Sequence, residues 1–341
     1  MPTFSAERLR EIATAIFRAA GTNPEPTAIV VDHLVSANLA GHDSHGVLRI
    51  PAYVRAIQEG RIQPNNEPRI LRETHVSALV DGNWTFGQVS VQFGTDLAID
   101  RARAHGVAVV GVVRCNHIGR LGTYTTRAAE QGVVMMVTTG ALGRSVAPYG
   151  GRQGAFGTNP VSFGFPAGTH PDIMIDFATS AIAGGKVMVA RAKHEPVPPG
   201  CLLDRDGNPT TDPNAYFNGG LLLPFGGHKG SALALLSVLL SQALLGASEY
   251  AESTGLTGTF ILALDAGLFR DRSAVEAETD RIVARIHAVP PAEGFDAVLV
   301  PGEPEVRTAE RRRREGIPVP DDTWAEIVAT ARSVGLTLAA P

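Results

Sequence analysis

The sequence VAVVGVV at residues 107–113, followed by VVMMVTT at residues 133–139, decides the fold class of this chain. Both runs are rich in β-branched residues and have the length of a buried strand. A helix is predicted between them, near residues 124–131. Short apolar runs that alternate with helical stretches and glycine turns are typical of an α/β fold built around a sheet.

The same alternation extends outward along the chain. Further strands are predicted at residues 77–81, 161–165, 173–176, 258–264 and 297–300. Further helices are predicted at residues 6–20, 24–41, 47–58, 89–105, 181–192, 229–245, 274–287 and 322–334. Ser5 is the expected N-cap of the first of them. The most apolar stretch, residues 231–247, is short for a membrane span and predicts a buried core helix.

Composition excludes several classes of protein. The 341 residues carry 30 basic and 34 acidic side chains, a net charge of -4, so polyanion binding is not expected. The one dense basic run, residues 311–314, lies between glutamates and is expected to be a solvated helix face. Two cysteines cannot form a disulfide framework, and the first residues show no signal-peptide pattern. We expect a soluble, cytoplasmic protein with no membrane or nucleic-acid partner.

The 37 glycines argue against the usual nucleotide-binding loops. No two of them are separated by a single residue, so the G-x-G-x-x-G fingerprint is absent. A phosphate-binding P-loop is absent as well, because Gly185 and Lys186 are followed by Val187. A dinucleotide would therefore need another scaffold.

The segment GHDSHGVLR, residues 41–49, holds the densest set of reactive side chains. His45 beside Ser44 suits a proton donor with a hydroxyl that orients it. Arg49 lies four residues after His45, on the same face if the segment is helical. Its forked guanidinium group suits a substrate carboxylate. The same residues would also serve as a helix cap with a surface ion pair. His42, Asp43 and His45 could instead bind a metal, but no second ligand cluster and no H-E-x-x-H accompany them.

Four further residues lie where strands end or helices begin. His117 follows the strand at 107–113 and is either a second acid/base, a substrate donor or a structural histidine. Asp176 closes an apolar run, where it could orient a histidine, and Ser180 is expected to cap a helix whose amides receive phosphate. Lys229 opposes the macrodipole at the start of the apolar helix, and an anionic ligand would remove that conflict.

Eight collinear segments together resemble the malate/lactate dehydrogenase family that lacks a Rossmann fold. This family includes ureidoglycolate, sulfolactate and diketogulonate oxidoreductases and cyclic-imine-carboxylate reductases. The matching segments are DSHGVLR at 43, CNHIG at 115, GAFGTNPVSFGFPA at 154, MIDFATS at 174, GKV at 185, LDRDGNPTTDP at 203, PFGGHKG at 224 and PGEPE at 301.

The resemblance implies a non-Rossmann α/β (α+β) fold. An NAD(P)-binding domain over residues 76–304 would contain a mixed, largely antiparallel sheet. A helical domain would combine residues 1–75 with 305–341, and the protein would be a homodimer.

The resemblance also assigns site residues. It makes His45 the proton donor, with Ser44 and Asp176 as its relay, whereas some members are described with the histidine matching His117 in that role. Arg49, Tyr53 and His117 would contact substrate, and no metal is implied. The implied cofactor contacts are Thr139, Gly140, Ile173, Met174, Ile175, Asp176, Phe177, Ala178, Thr179, Ser180, His228, Lys229, Gly230, Pro301, Gly302 and Glu303.

The expected reaction is hydride transfer between a nicotinamide and a small 2-hydroxy or 2-oxo acid. A cyclic imine-2-carboxylate reductase is the nearest alternative, and a metal-dependent hydrolase using His42, Asp43 and His45 is a distant one. The cofactor is NAD or NADP. Arg191, Lys193 and His194 could meet the 2′-phosphate of NADP, or they could match the dipole of a helix end; the breadth of the family favours NAD.

Overall fold

The structure is a computed structural model and describes residues 1–250 and 257–338. Its α-helices are α1 (Ala6–Ala19), α2 (Pro24–Leu39), α3 (Ile50–Gln58), α4 (Gly87–His105), α5 (Gly122–Ala129), α6 (Gly184–Lys193), α7 (Pro213–Phe217), α8 (His228–Val238), α9 (Arg272–His287), α10 (Glu303–Glu315) and α11 (Asp321–Ser333). Its strands are β1 (Thr3–Phe4), β2 (Arg69–Glu73), β3 (Ser77–Asp81), β4 (Val107–Cys115), β5 (Val133–Gly140), β6 (Leu142–Val146), β7 (Val161–Phe165), β8 (Ile173–Phe177), β9 (Leu202–Leu203), β10 (Pro209–Thr210), β11 (Leu221–Leu222), β12 (Thr257–Asp265) and β13 (Ile317–Pro318).

A seven-stranded sheet in the order β2-β3-β4-β12-β5-β7-β8 forms the centre of the fold. Strands β3 and β4 are parallel, and the other neighbouring pairs are antiparallel. The two runs that decided the fold class, β4 and β5, lie on either side of β12. This mixed, largely antiparallel sheet confirms the expected architecture.

Helices cover the two faces of this sheet because side chains alternate along each strand. Val110 and Val112 of β4 lie beside Gly94 of α4, while the intervening Gly111 lies beside Leu245, beyond α8. Helix α8 continues through a π-helical turn, Leu239–Ala243. Helix α4 and the α8 segment therefore sandwich the central strands.

Three glycines on neighbouring strands let the α8 segment approach the sheet. A Cβ on Gly140 would lie 2.4 Å from the Ser237 carbonyl carbon, and one on Gly258 would lie 1.9 Å from the Ser241 oxygen. A Cβ on Gly111 would lie 2.3 Å from the Leu245 side chain. These three of the 37 glycines thus allow the helix to pack closely against the sheet.

The two ends of the chain share a second apolar core. It joins residues of α1, α2 and α3, such as Leu9, Leu34 and Val54, with Ile317 and Ile327 from the C-terminal region. Strand β1 pairs with β13 and extends this connection. Ser5 caps α1 as expected, its side chain accepting a hydrogen bond from the amide of Arg8.

Three local predictions are wrong. Residues 297–300 form no strand, since Val300 turns into α10 and the Glu303 carboxylate accepts its amide hydrogen at 2.9 Å. Ser180 does not cap a helix, because its hydroxyl donates to the Ile182 carbonyl and α6 begins only at Gly184. The apolar helix is not fully buried, because Leu235 and Leu236 of α8 and Leu239 of the π-helical turn that follows are exposed.

The helix bounds otherwise lie close to those predicted. Strands β1, β2, β6, β9, β10, β11 and β13 and helix α7 were not predicted, and α10 was predicted only as a helix face at residues 311–314. Helix α10 contains the basic run at 311–314. Arg311, Arg313 and Arg314 are exposed as expected, whereas Arg312 points inward with a side chain only 12% exposed. Within the described residues, no helix is long and apolar enough to cross a membrane.

Candidate active site

His45 is the last residue of the first of two short 3-10 turns, Asp43–His45 and Val47–Arg49, that join α2 to α3. Its Nδ1 is 2.9 Å from the hydroxyl of Ser44. Nε2 has no hydrogen-bond partner among the described residues. Ser44 is itself wedged against the start of α6, where a Cβ on Gly185 would lie 2.9 Å from the Ser44 Cβ. The expected pairing of Ser44 with His45 is therefore present.

A second imidazole, His117, stacks on the first. The ring centroids of His45 and His117 are 5.8 Å apart, with 19° between the planes. The Tyr53 hydroxyl lies 2.7 Å from Nδ1 of His117 and accepts a hydrogen bond from Gln88 at 2.7 Å. Tyr53 is buried, and its hydroxyl orients the ring of His117.

Arg49 reaches this pair by a different route from the predicted helical face. Gly46, with φ -91° and ψ -152°, breaks the segment into two turns. The Nε of Arg49 donates to the Ser44 carbonyl at 2.7 Å, which directs the guanidinium back toward His45. The terminal nitrogens of Arg49 have no partner among the described residues. A half-buried guanidinium with two free nitrogens suits a carboxylate.

Burial and nearby positive charge keep both imidazoles neutral. Burial lowers the pKa of His45 to about 4, and Arg49, His42 and Arg120 act in the same direction. Burial also lowers the pKa of His117 to about 3, and Arg49, His45 and His33 act in the same direction. At neutral pH each ring can therefore accept a proton, as a base in hydroxyl oxidation must.

Asp176 lies behind this pair without a direct bond to it. Its carboxylate accepts the Gly122 amide at 2.7 Å and lies 3.8 Å from Nε of Arg120. Among the described residues, it makes no hydrogen bond to Ser44 or His45. Burial raises the pKa of Asp176, and Arg120 opposes that effect. The expected relay from Asp176 to His45 thus has no direct contact.

Arg120 is a buried cation that sequence reasoning missed. Its backbone amide donates to Nε2 of the buried His33 at 2.9 Å, and its side chain is 9% exposed. Nε has no hydrogen-bond partner, and Nη2 lies 3.4 Å from the Met174 sulfur. Its charge reaches both His45 and Asp176. A cation directly after CNHIG was the available signal.

The side chains of His42, Asp43 and His45, which could have bound a metal, contact separate partners. His42 Nε2 lies 3.2 Å from the Glu305 carboxylate, and Asp43 forms a bidentate ion pair with Arg312. In the described part of the chain, no three His, Cys, Asp or Glu side chains converge as metal ligands. His42, Asp43 and His45 thus form no metal site for the hydrolase alternative within residues 1–250 and 257–338.

The expected cofactor segments come together along the edge strand β8. The Met174 amide donates to the Pro301 carbonyl, and Gly302, at φ +101°, packs against the backbone of 172–174. At the other end of β8, the Phe225 amide donates to the Thr179 carbonyl, and Gly230 packs against the same residue. Segments 173–180, 228–230 and 301–303 thus form one continuous surface.

Some of the residues expected to contact the cofactor make structural contacts instead. The Thr139 hydroxyl donates to the Gly258 carbonyl, and Gly140 allows α8 to pack. The Glu303 carboxylate caps Val300 and lies 3.0 Å from His287. His228 and Lys229, by contrast, are exposed at the start of α8.

A nicotinamide dinucleotide fits this surface. Helices α6 and α8 both begin without a side-chain cap. Among the described residues, the amides of Gly184, Gly185 and His228 make no hydrogen bond and are available to a diphosphate, whereas the next amides donate to backbone carbonyls. Gly184 and Gly185 remove the side chains that would obstruct the N-terminus of α6. The same helix start touches Ser44, which brings the cofactor surface next to His45.

Comparisons with known proteins cover nearly the whole chain. A family described as malate/L-lactate dehydrogenase matches residues 4–328. The hydroxycarboxylate dehydrogenase B of Escherichia coli (strain K12) is 38% identical over 344 residues, covering 98% of this chain and 94% of that protein. The solved structure of sulfolactate dehydrogenase from Methanocaldococcus jannaschii has a TM-score of 0.90 and 31% identity, covering 98% of both chains. That of delta1-piperideine-2-carboxylate reductase from Pseudomonas syringae pvar. tomato has a TM-score of 0.85 and 32% identity, covering 97% of this chain and 100% of that one.

Proposed function

Since the chain belongs to the malate/L-lactate dehydrogenase family, we propose that His45 and Arg49 act on a small 2-hydroxy or 2-oxo acid. The chain is an oxidoreductase of the hydroxy-acid dehydrogenase type with a nicotinamide cofactor. The proposed substrates are of the malate, lactate, sulfolactate or ureidoglycolate type. One observation carries the proposal: an imidazole with a free Nε2 lies beside a guanidinium with two free nitrogens.

A bound nicotinamide supplies the hydride to the α-carbon of the substrate, or accepts it. Arg49 holds the substrate carboxylate by its terminal nitrogens. His45 exchanges a proton at Nε2 with the substrate oxygen, while Ser44 fixes the ring through Nδ1. His117, oriented by Tyr53, is a substrate donor on the neighbouring face. Asp176 acts on His45 through Arg120, whose charge it balances.

Substrate binding also favours the protonated ring that reduction needs. The charge of Arg49 is one of the causes that lower the pKa of His45. A substrate carboxylate bound to Arg49 offsets that charge and brings a negative group close to the ring. The pKa of His45 therefore rises when the substrate binds, and a proton becomes available for the developing alkoxide.

The test is His45→Ala with reduced cofactor and a substrate panel. We expect kcat to fall by about 10² to 10⁴, the usual range for a lost general acid, while the Kd of the nucleotide stays unchanged. His105→Ala, an exposed imidazole at the end of α4, is the matched control. A near-normal kcat in His45→Ala refutes the assignment.

A cyclic imine-2-carboxylate is the second candidate substrate. The low pKa of His45 favours it, because an iminium ion arrives with its own proton and needs no acid for reduction. Assays with pyruvate, oxaloacetate, 3-sulfopyruvate and piperideine-2-carboxylate separate the two candidates. The imine reading predicts that only the last turns over efficiently and that His45→Ala spares its reduction.

For the cofactor we propose NAD in preference to NADP. Arg191, the first cation expected to meet a 2′-phosphate, stacks over Phe217 with its guanidinium carbon 3.7 Å from the ring centroid. Lys193 ends α6, where its charge matches the helix dipole. The ratio of kcat/KM for NADH and NADPH tests this choice, and a higher value with NADPH contradicts it.

We propose that the protein is a homodimer through the exposed face of the α8 segment. Leu235, Leu236, Leu239 and Leu244 are 43–64% exposed there, and apolar patches of this kind mark interfaces. Leu236→Glu with Leu239→Glu should convert the dimer to a monomer by light scattering. A wild-type protein that is monomeric at micromolar concentration contradicts the proposal.

We propose a reducing, cytoplasmic location. Cys115 and Cys201 are free and buried, and burial raises the pKa of Cys115 to about 12, which leaves it unreactive. Fractionation of cells with an antibody to the protein tests the location.

A further inference from the structure

Helix α10 holds the loop that carries His45. Glu305, Thr308 and Arg312 are spaced by three and four residues, so they share one face of this helix. That face meets residues 41–43, immediately before Ser44 and His45. The methyl group of Thr308 lies so close to Gly41 that a Cβ there would be 3.1 Å from it.

Arg312 makes the strongest of these contacts. Its guanidinium donates to both oxygens of Asp43, at 2.6 and 2.9 Å, and also to the Asn38 carbonyl. The Asn38 amide group donates to Asp43 at 2.6 Å, and its oxygen accepts the Val47 amide at 2.8 Å. Arg312 and Asn38 thus bracket the turn on both sides of His45.

Glu305 contacts His42, the residue before Asp43. Its carboxylate lies 3.2 Å from Nε2 of His42. These two contacts fix successive loop residues, His42 and Asp43, from positions two turns apart on one helix. The loop has only three-residue helical turns of its own, so its orientation depends on these external contacts.

We propose that Arg312, supported by Glu305, is a positioning residue for His45. The inference rests on the proposed role of His45 as acid/base. Bidentate guanidinium pairing fixes both the distance and the plane of the Asp43 carboxylate. A displacement of about 1 Å at a reacting group can cost about a hundredfold in rate. Loss of Arg312 therefore acts on turnover through His45.

The test compares Arg312→Gln with Arg313→Gln, the neighbouring exposed arginine of the same run. We expect kcat to fall by about 10- to 100-fold in Arg312→Gln, with an increased isotope effect from 4-deuterated NADH and an unchanged nucleotide Kd. Arg312→Lys retains the charge and should recover part of kcat. Arg313→Gln should match wild type. A kcat of Arg312→Gln within twofold of wild type overturns the proposal.

A double variant separates positioning from general support of the fold. In a His45→Ala background, Arg312→Gln should lower kcat no further, because its effect passes through the missing ring. A further tenfold fall in the double variant overturns the inference.

If His45→Ala alone retains normal kcat, the proposed function itself is wrong. If His45→Ala is inactive but Arg312→Gln is not, only the positioning role fails. Should Arg312→Gln not fold, Arg312→Lys and Asp43→Asn give the same comparison.

Discussion

The neutral histidines of the site should make the stability of the protein fall at mildly acidic pH. Burial lowers the pKa of His45 to about 4 and those of His33 and His117 to about 3, from 6.5 in each case. The unfolded chain therefore binds more protons than the folded one below pH 6.5. The stabilisation is complete above that pH and is lost as the pH falls toward the folded-state pKa.

The size of the loss follows from the same values. Between pH 7.5 and 5.5, a histidine that titrates only in the unfolded chain lowers the free energy of unfolding by about 1.4 kcal/mol. His33, His45 and His117 together give about 4 kcal/mol, a large share of a stability of 5–15 kcal/mol. His45→Gln should remove about a third of this pH dependence, whatever its effect on stability at pH 7.5.

Urea unfolding at the two pH values and one protein concentration, followed by circular dichroism, measures this difference. Comparing variants cancels the contribution of the carboxyl groups. His105→Gln, which changes an exposed ring, should retain the full dependence. If His45→Gln loses as much stability as wild type between pH 7.5 and 5.5, His45 is not held neutral by the fold.

Three other changes have defined outcomes. Arg49→Lys should raise KM for the acid by about 10-fold or more, because a lysine cannot form the bidentate pair; an unchanged KM contradicts the carboxylate role. Tyr53→Phe leaves Gln88 and His117 without their shared hydroxyl, so kcat/KM should fall while nucleotide Kd stays constant in fluorescence titrations. Gly140→Ala places a Cβ against the Ser237 backbone and should cost about 1–3 kcal/mol in urea unfolding, without the loss of NADH affinity that a cofactor-contacting glycine would show.

Local runs of apolar residues were enough to predict most strands of the seven-stranded sheet. Strand β7 has the predicted bounds, and β4 and β5 extend the predicted runs by two residues and one. The position of β12 between them could not be read from the sequence, because pairing residues 257–265 with 107–115 joins segments about 150 residues apart. Long-range strand order leaves no trace in periodicity.

The same limit explains what was missed in the site. His45, Ser44 and Arg49 are close in sequence, and their side-chain chemistry pointed to an acid/base and a carboxylate partner. Arg312 and Glu305 lie more than 250 residues further along the chain, on a helix so polar that only Ala309 is buried. A run of four arginines shows which residues are charged but not which one turns inward.

The charges around His45 determine its protonation state in the site without substrate. Arg49, Arg120 and His42 all disfavour the imidazolium, and Asp43, which could favour it, is taken up by Arg312. The free site is thus ready to accept a proton and not to give one. Reduction needs the opposite state, and the negative charge that brings it about must arrive with the substrate. The carboxylate on Arg49 is then part of the chemistry as well as of binding, because it shifts the proton equilibrium of His45 in the complex where the hydride is transferred.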